Sequence, residues 1–259
     1  MVLSQKVLHN NFLYPMLRHF RGAARKFGFE IRKAPFANFE AVPVFDLALN
    51  YLLATRGTEL TFIEVGANDG EFNDPLREYI VKFRWRGVLI EPQPDVFERL
   101  KLNYAGQSDR LSFENVAISS NTAPLALYRL PDSFPLARAK FATAVASSNQ
   151  EQTARLLHVK PHQLERVVVP TAQLDDIIVK HRLAGLHILQ IDTEGLDWDV
   201  LQTLDLTKNR PLLIRYEHGH LSSQVISAMT QHLNEHGYLV NFGGLEADSI
   251  ALRRDFIQA

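Results

Sequence analysis

Five short clusters in this chain place acids, amides and imidazoles at spacings suited to chemistry. Glu64 stands just before Gly66-Ala67-Asn68-Asp69-Gly70, a glycine turn of the form G-x-x-x-G. Glu91-Pro92 ends a second apolar run, and Asn115-Val116-Ala117 lies in a third. Asp192 and Glu194 sit at i and i+2 after a fourth run, and Glu217, His218 and His220 close a fifth. Glycines in such a turn let the chain reverse tightly and let backbone approach a ligand closely. An acid placed like Glu91 is set to accept hydrogen bonds from ribose hydroxyls. His218 or His220 could take a hydroxyl proton near neutral pH, His218 first, with Asp192 as the second candidate. Asp192, Glu217 and His218 also offer carboxylate and imidazole ligands to a divalent ion, although nothing in their spacing demands one.

The ligand of the glycine turn need not be a dinucleotide. A G-x-G-x-x-G loop, which lets a pyrophosphate cross, is absent, and a carboxylate at Glu64 would repel phosphates. It suits an ammonium or sulfonium group instead, which favours S-adenosylmethionine (SAM) over NAD. The residues expected to bind this cofactor are Glu64, Gly66, Asn68, Asp69, Gly70, Glu91, Pro92, Asn115, Ala117 and Asp192.

These clusters need elements to position them. Thr61–Val65, Gly87–Ile90, Leu111–Ser119, His187–Asp192 and Pro211–Glu217 read as buried strands, with helices between them. The pattern predicts helices over Phe45–Thr55, Asn73–Lys82, Asp95–Tyr104, Leu174–Leu183, Leu196–Leu204 and Ser222–His236. Asn73 is the expected N-cap of the second, and Gly237 stops the last. Ala123–Leu130 and Val167–Pro170 are further strands. Tyr238–Phe242 and Ser249–Arg254 predict a closing hairpin, with Gly243-Gly244 in the connection. In an open α/β sheet, ligands sit outside the carboxyl ends of the strands, where all five clusters fall. Strands one to three would hold the cofactor, and strands four and five would face the acceptor. The polar stretch 131–165 fits no regular pattern and is expected to be a substrate-facing loop or lid.

Composition sets the frame. The chain has 259 residues, 46% hydrophobic and 22% charged, a globular balance. A formal net charge of −1 gives no electrostatic case for nucleic acid. Without cysteine there is no disulfide framework, thiolate metal site or cysteine nucleophile, which fits a cytoplasmic location. No apolar run reaches the roughly 20 residues that span a membrane, and no signal-peptide core is evident. Residues 6–33 hold Lys6, Arg18, Arg21, Arg25, Lys26, Arg32 and Lys33 against Glu30 alone. This basic, aromatic-dotted segment belongs to an N-terminal helical extension, residues 1–56, ahead of a main domain over 57–259. It is expected to pack on that domain, or to dock peripherally on an anionic membrane surface or a polyanionic partner.

The chain resembles the FkbM-type SAM-dependent methyltransferases. The resemblance rests on FIEVGANDG (Phe62–Gly70), GVLIEPQPDVFERL (Gly87–Leu100), NVAIS (Asn115–Ser119), VPTAQLDDII (Val169–Ile178), LQIDTEGLDWDVL (Leu189–Leu201) and PLLIRYEHGHL (Pro211–Leu221). It runs from about residue 60 to 242 in family order. It implies a Rossmann-like class I methyltransferase fold: a mostly parallel seven-stranded sheet with helices on both faces. It further implies SAM held by the glycine loop, the acid of the second strand and NVAIS, and O-methylation of a hydroxyl on a sugar, polyketide or similar metabolite. The family often carries Lys just before its I-D-x-E-G element, where this chain has Gln190. The expected reaction is in-line displacement at the SAM methyl by an acceptor hydroxyl, with His218, Asp192 and Glu217 as the catalytic candidates. The alternative is a non-catalytic SAM- or nucleotide-binding module, and after it an NAD-dependent oxidoreductase.

Overall fold

The computed structural model describes residues 44–134, 140–183, 185–242 and 248–257. The basic segment 6–33 and the Gly243-Gly244 connection lie outside the described residues. The chain from Val44 onward forms one compact unit.

Its first element, α1 (Val44–Arg56), buries Phe45, Ala48, Leu49 and Leu52 at helical spacing. These side chains share a core with Leu60, Phe62, Ile250 and Phe256. The helix that the sequence reading grouped with the N-terminal extension is therefore packed into the main domain.

The centre is a seven-stranded sheet. Strands β1 (Thr61–Val65), β2 (Arg86–Ile90), β3 (Leu111–Glu114), β8 (Ile188–Ile191) and β9 (Leu213–Glu217) run parallel. Strands β10 (Tyr238–Phe242) and β11 (Asp248–Arg253) complete it as an antiparallel pair, in the order β10-β11-β9-β8-β1-β2-β3. The last strand thus slips between the fifth and the penultimate. Parallel strands covered on both faces read as continuous apolar runs, which is why these were visible in sequence.

Both faces are covered. Helices α2 (Arg77–Phe83) and α3 (Pro94–Asn103) join α1 on one face through Ile80 and Leu100. On the other face lie α6 (Leu174–His181), α7 (Asp197–Leu201) and α8 (Ser223–Glu235), which bury Ile177, Val200 and Met229 against Ile63, Leu189 and Ile214. The Ser222 hydroxyl caps α8 by accepting from the Val225 N–H at 3.3 Å, and Gly237 follows it with φ +82°. A final turn of helix, α9 (Arg254–Ile257), ends the described chain.

Three local expectations need correction. Asn73 does not cap α2. It takes a left-handed φ of +57°, and the Asp74 carboxylate accepts from the N–H groups of Leu76 and Arg77 at 2.8 and 2.9 Å instead. The third strand is not continuous over Leu111–Ser119. It leaves the sheet after Glu114, where the Asn115 side-chain amide donates to the carbonyls of Glu91 and Pro92. Ala117–Ile118 (β4) then pairs with Thr171–Ala172 (β7) in a separate small sheet.

The third correction concerns 131–165, which is largely regular. Strands β5 (Leu125–Arg129) and β6 (Glu165–Val169) form an antiparallel ribbon that encloses it. Between them lie α4 (Lys140–Ala144) and α5 (Gln150–Leu156), and Leu130, Ala142 and Leu157 form a small core. Arg129, on the ribbon, pairs with Asp95 on α3 and with Glu165 at 2.8 Å.

Candidate functional site

The carboxyl ends of β1, β2 and β8 and the chain around β4 and α4 line an open cleft of about 120 Å³. The lining includes Glu64, Gly66, Asn68, Glu91, Pro92, Ala117 and Asp192, all expected from sequence. It also includes Asp74, Gln93, Thr143, Gln190 and Glu194, which were not on that list. Val116, Ala117, Ile118, Leu125 and Leu127 give it an apolar side.

Gly66 holds the floor together. Its φ is +83°, and a β-carbon there would stand 1.8 Å from the Asp192 carbonyl oxygen. The glycine therefore lets the β1 turn touch the end of β8. Gly70 has a similar reason for being glycine, but it lies away from the cleft. A β-carbon at Gly70 would meet Tyr104 at 2.5 Å and Leu100 at 2.6 Å, so helix α3, not a ligand, is what comes close. Asp69 is also outside the lining. Its carboxylate closes the turn by accepting from the N–H groups of Glu71 and Phe72. Asn115 is likewise outside and acts on the Glu91-Pro92 backbone, as described above.

Glu91 is buried, and both of its oxygens are engaged. Oε2 accepts from the Asn68 N–H at 3.0 Å, and Oε1 accepts from the Gln93 N–H at 2.8 Å and its side-chain amide at 3.2 Å. Burial pushes its carboxyl up to about 7, although these hydrogen bonds oppose the shift. The Gln93 amide also donates to the Thr143 carbonyl at 2.9 Å, and the Thr143 hydroxyl donates to Asn68 Oδ1 at 3.0 Å. Helix α4 is thus tied onto the loops that follow β1 and β2. No local sequence signal marks Thr143, because its partners lie far away in the chain.

A polar row crosses the sheet beneath the cleft. Glu64, Gln190 and Arg215 are register partners on β1, β8 and β9. Glu64 is 3% exposed, and its Oε2 has no hydrogen-bond partner. Burial, then the neighbouring Asp74, raises its carboxyl well above the usual range. Arg215 is held at the far end of the row by Asp248, at 2.5 Å. Asp192 lies beside the row. Burial, reinforced by Asp197, pushes its carboxyl up to about 7.

At the other end of the cleft, the sequence expectation is redistributed. His218 does not line the cleft. Strand β9 ends at Glu217, and the His218 ring turns to the Ser249 hydroxyl at 2.9 Å and to the edge of Phe242. Asp192, Glu217 and His218 are therefore not brought together as a ligand set. Glu217 and His220 are outside the lining as well, but His220 turns back to Glu194, which is in it: its Nε2 lies 3.0 Å from Glu194 Oε2 and 3.4 Å from Glu217 Oε1. Burial, then Asp192, pushes Glu194 up to about 8 and Glu217 up to about 9. Asp197, fully buried, fixes this corner by accepting from the Glu217 N–H at 2.8 Å and the Thr193 hydroxyl at 2.8 Å. Among the described residues that line the cleft are five carboxyl groups, those of Glu64, Asp74, Glu91, Asp192 and Glu194, and no Lys or Arg. No described helix is long and apolar enough to cross a membrane.

No curated protein matches the sequence. Among solved structures, a methyltransferase FkbM from Methylobacillus flagellatus KT is 14% identical, with a TM-score of 0.48, over 78% of this chain and 47% of its own length. The chain thus spans about half of that protein. The O-methyltransferase TomG from Streptomyces achromogenes, solved with SAM, is 14% identical with a TM-score of 0.42, over 92% of this chain and 88% of its own length. The sequence model of the methyltransferase FkbM domain matches residues 64–240, the span that carries the whole cleft floor. With that match over most of its length, and with its sheet order and glycine turn, the chain belongs to the FkbM methyltransferase family and has the Rossmann-like class I fold.

Proposed function

We propose that this chain uses SAM to methylate a hydroxyl group of a small metabolite or saccharide. The observation that carries the reading is the acid-lined, Lys- and Arg-free cleft at the carboxyl ends of the parallel strands. A dinucleotide would set its pyrophosphate among carboxyl groups, with no cation to meet it. A sulfonium with an amino group suits those same carboxyls. Glu64, with an unpartnered buried oxygen, and Asp74 and Asp192 beside it are the residues that would face the positive charge. Glu91, pinned by Asn68 and Gln93, keeps lone pairs for ribose hydroxyls. The apolar side around Ala117, Ile118 and Leu127 suits a flat base.

SAM supplies an activated methyl group when bound. The chain's contribution is alignment and proton removal. Asp192 lies in the lining between the cofactor floor and the Glu194 end, where it can reach an acceptor hydroxyl, and it takes precedence over His218 as the proton acceptor. Alignment of two bound reactants accounts for the larger share of such a rate.

The test is calorimetry with SAM and with NAD, followed by incubation with methyl-labelled SAM and a panel of hydroxylated saccharides and metabolites. SAM is expected to bind, NAD not, and S-adenosylhomocysteine to form only with an acceptor. Tighter binding of NAD than SAM would overturn the cofactor assignment. Tight SAM binding with no turnover on any hydroxylated acceptor would overturn the O-methyl assignment.

A further inference from the structure

The Glu194 corner holds chemistry that methyl transfer from a sulfonium does not require. Three side chains from two neighbouring strand ends converge there. Glu194 lies in the turn after β8, Glu217 is the last residue of β9, and His220 is in the turn that follows. Their nearest ligand atoms all lie within 4.8 Å of one another, and no other His, Asp or Glu group of three among the described residues does this.

The pairwise spacings suit a shared ion. With bonds of about 2.1 Å, two ligands of one metal stand about 3.0 Å apart at a right angle and about 3.4 Å apart at the tetrahedral angle. Those are the separations from His220 Nε2 to the two glutamates, 3.0 and 3.4 Å. A simple His–Glu ion pair accounts for less. Oε2 of Glu194 and Oε2 of Glu217 are both shut off from solvent, and neither has an aligned hydrogen-bond donor. Once ionised, two such carboxylates side by side need a positive partner. No Lys or Arg supplies it: among the described residues, His220 is the one ion-pair neighbour of each. Asp192, Asp197 and Asp248 add further negative charge around Glu217.

The supports are firm. Glu194 holds a left-handed φ of +54°, a conformation that costs a non-glycine residue free energy and aims its side chain at the other two. Its carbonyl accepts from the Gln152 amide at 3.0 Å, and the Glu217 backbone is held by Asp197.

We propose that Glu194, Glu217 and His220 bind one divalent first-row metal ion, Mn²⁺ or Zn²⁺ by ligand type, beside the Glu194 end of the cleft. One imidazole and two carboxylates suit these ions better than an all-oxygen cage for Mg²⁺ or Ca²⁺ does. Three protein ligands leave positions open for an oxygen of the acceptor. That last role rests on the methyltransferase reading above. The binding of the ion does not.

The test uses the full chain, tag-free and stripped with a chelator. Mn²⁺ is titrated in and followed by the electron paramagnetic resonance of the free ion, and Zn²⁺ is titrated by calorimetry, both near neutral pH and without SAM. One saturable site per chain is expected. Glu217→Gln and His220→Asn should each weaken it by at least about 10-fold, since loss of supporting groups alone costs 10–100-fold at metal sites. Glu194→Gln is the third arm, and a thermal melt of each variant without metal checks folding. If one variant fails to fold, the other two decide. No saturable binding up to about 1 mM metal, or wild-type affinity in all folded variants, would overturn the proposal. SAM titration of the same stripped protein reports on the methyltransferase reading separately.

Discussion

Replacing Gly66 with alanine should damage this protein far more than the same change at Gly57. The two glycines have nearly the same backbone, φ +83° and φ +81°. An alanine at either site meets the left-handed penalty of about 1–2 kcal/mol. The difference is room. Nothing lies within 4 Å of a β-carbon at Gly57, whereas at Gly66 the Asp192 carbonyl oxygen and carbon lie at 1.8 and 2.9 Å. Both are backbone atoms, so no side chain can swing away. The ends of β1 and β8 must part by more than an ångström. The bonds that join them are the Asp192 N–H to the Val65 carbonyl, with the Gly66 and Ala67 N–H groups to the Ile90 carbonyl beside it, all at 3.0 Å. Leaving one or two such buried groups unpaired costs about 1–3 kcal/mol each. The Gly66→Ala loss should then total roughly 3–6 kcal/mol, a large share of the 5–15 kcal/mol that holds a typical domain. At about 2–4 °C per kcal/mol for a chain of this size, Tm should fall by about 6–24 °C, against about 2–8 °C for Gly57→Ala. Thermal melts followed by circular dichroism would measure both. If Gly66→Ala melts within about 3 °C of Gly57→Ala, the close approach of the two strand ends is not what fixes this glycine.

Three other outcomes follow from the buried carboxyls. Because burial raises Glu91 to about 7, the fold carries the full cost of its charge only above that pH. Its penalty is absent below the ordinary glutamate range, grows between about pH 4.5 and 7 as only the unfolded chain ionises, and levels off above 7 at about 3 kcal/mol. Urea unfolding at pH 5 and pH 8 should show Glu91→Gln gaining on the wild type by roughly that amount, and an unchanged difference would refute it. Glu64 is raised in the same direction, so SAM affinity should climb with pH as its carboxylate forms, with a shallower climb in Glu64→Gln. Calorimetry at several pH values reads this, and parallel profiles would exclude Glu64 as the group facing the sulfonium. Asp192→Asn should weaken SAM by about 10–100-fold, the range of a hydrogen bond to a charged group. His218→Ala, out of the cleft beside Ser249, should leave that affinity within about 3-fold; the reverse ranking in the same titrations would invert the two assignments.

The sheet was legible because its strands are buried on both faces and end in polar residues. TFIEV, GVLI, HILQI and PLLIRYE read as apolar runs, and the cleft lies where they stop. What sequence could not show were partners chosen by turns. LSFENVAIS looks like one strand, yet Asn115 spends its amide on Glu91 and Pro92 and sends the chain elsewhere. Asn73 and Asp74 are equally good caps by type, and only the left-handed backbone at Asn73 hands the task to Asp74. His218 and His220 are indistinguishable by pattern, because the strand stops at Glu217 and the turn at Gly219 decides which ring comes back. Helices α4 and α5, with five and seven residues, are too short to announce a periodicity.

The tie between Thr143, Asn68 and Gln93 has a consequence for how the two halves of the cleft communicate. Asn68 and Gln93 are also the groups that hold Glu91, so the α4 segment and the proposed ribose-binding acid share the same hydrogen-bond network. Two sites joined in this way obey reciprocity: any free energy by which a ligand on Glu91 stabilises the seat of α4 is returned when something else seats α4 first. An acceptor that presses α4 onto the loops would then tighten the cofactor by the same factor by which the cofactor tightens the acceptor. Cooperative binding of two substrates would need no separate gate in such an arrangement, because the network that shapes one half of the cleft also shapes the other.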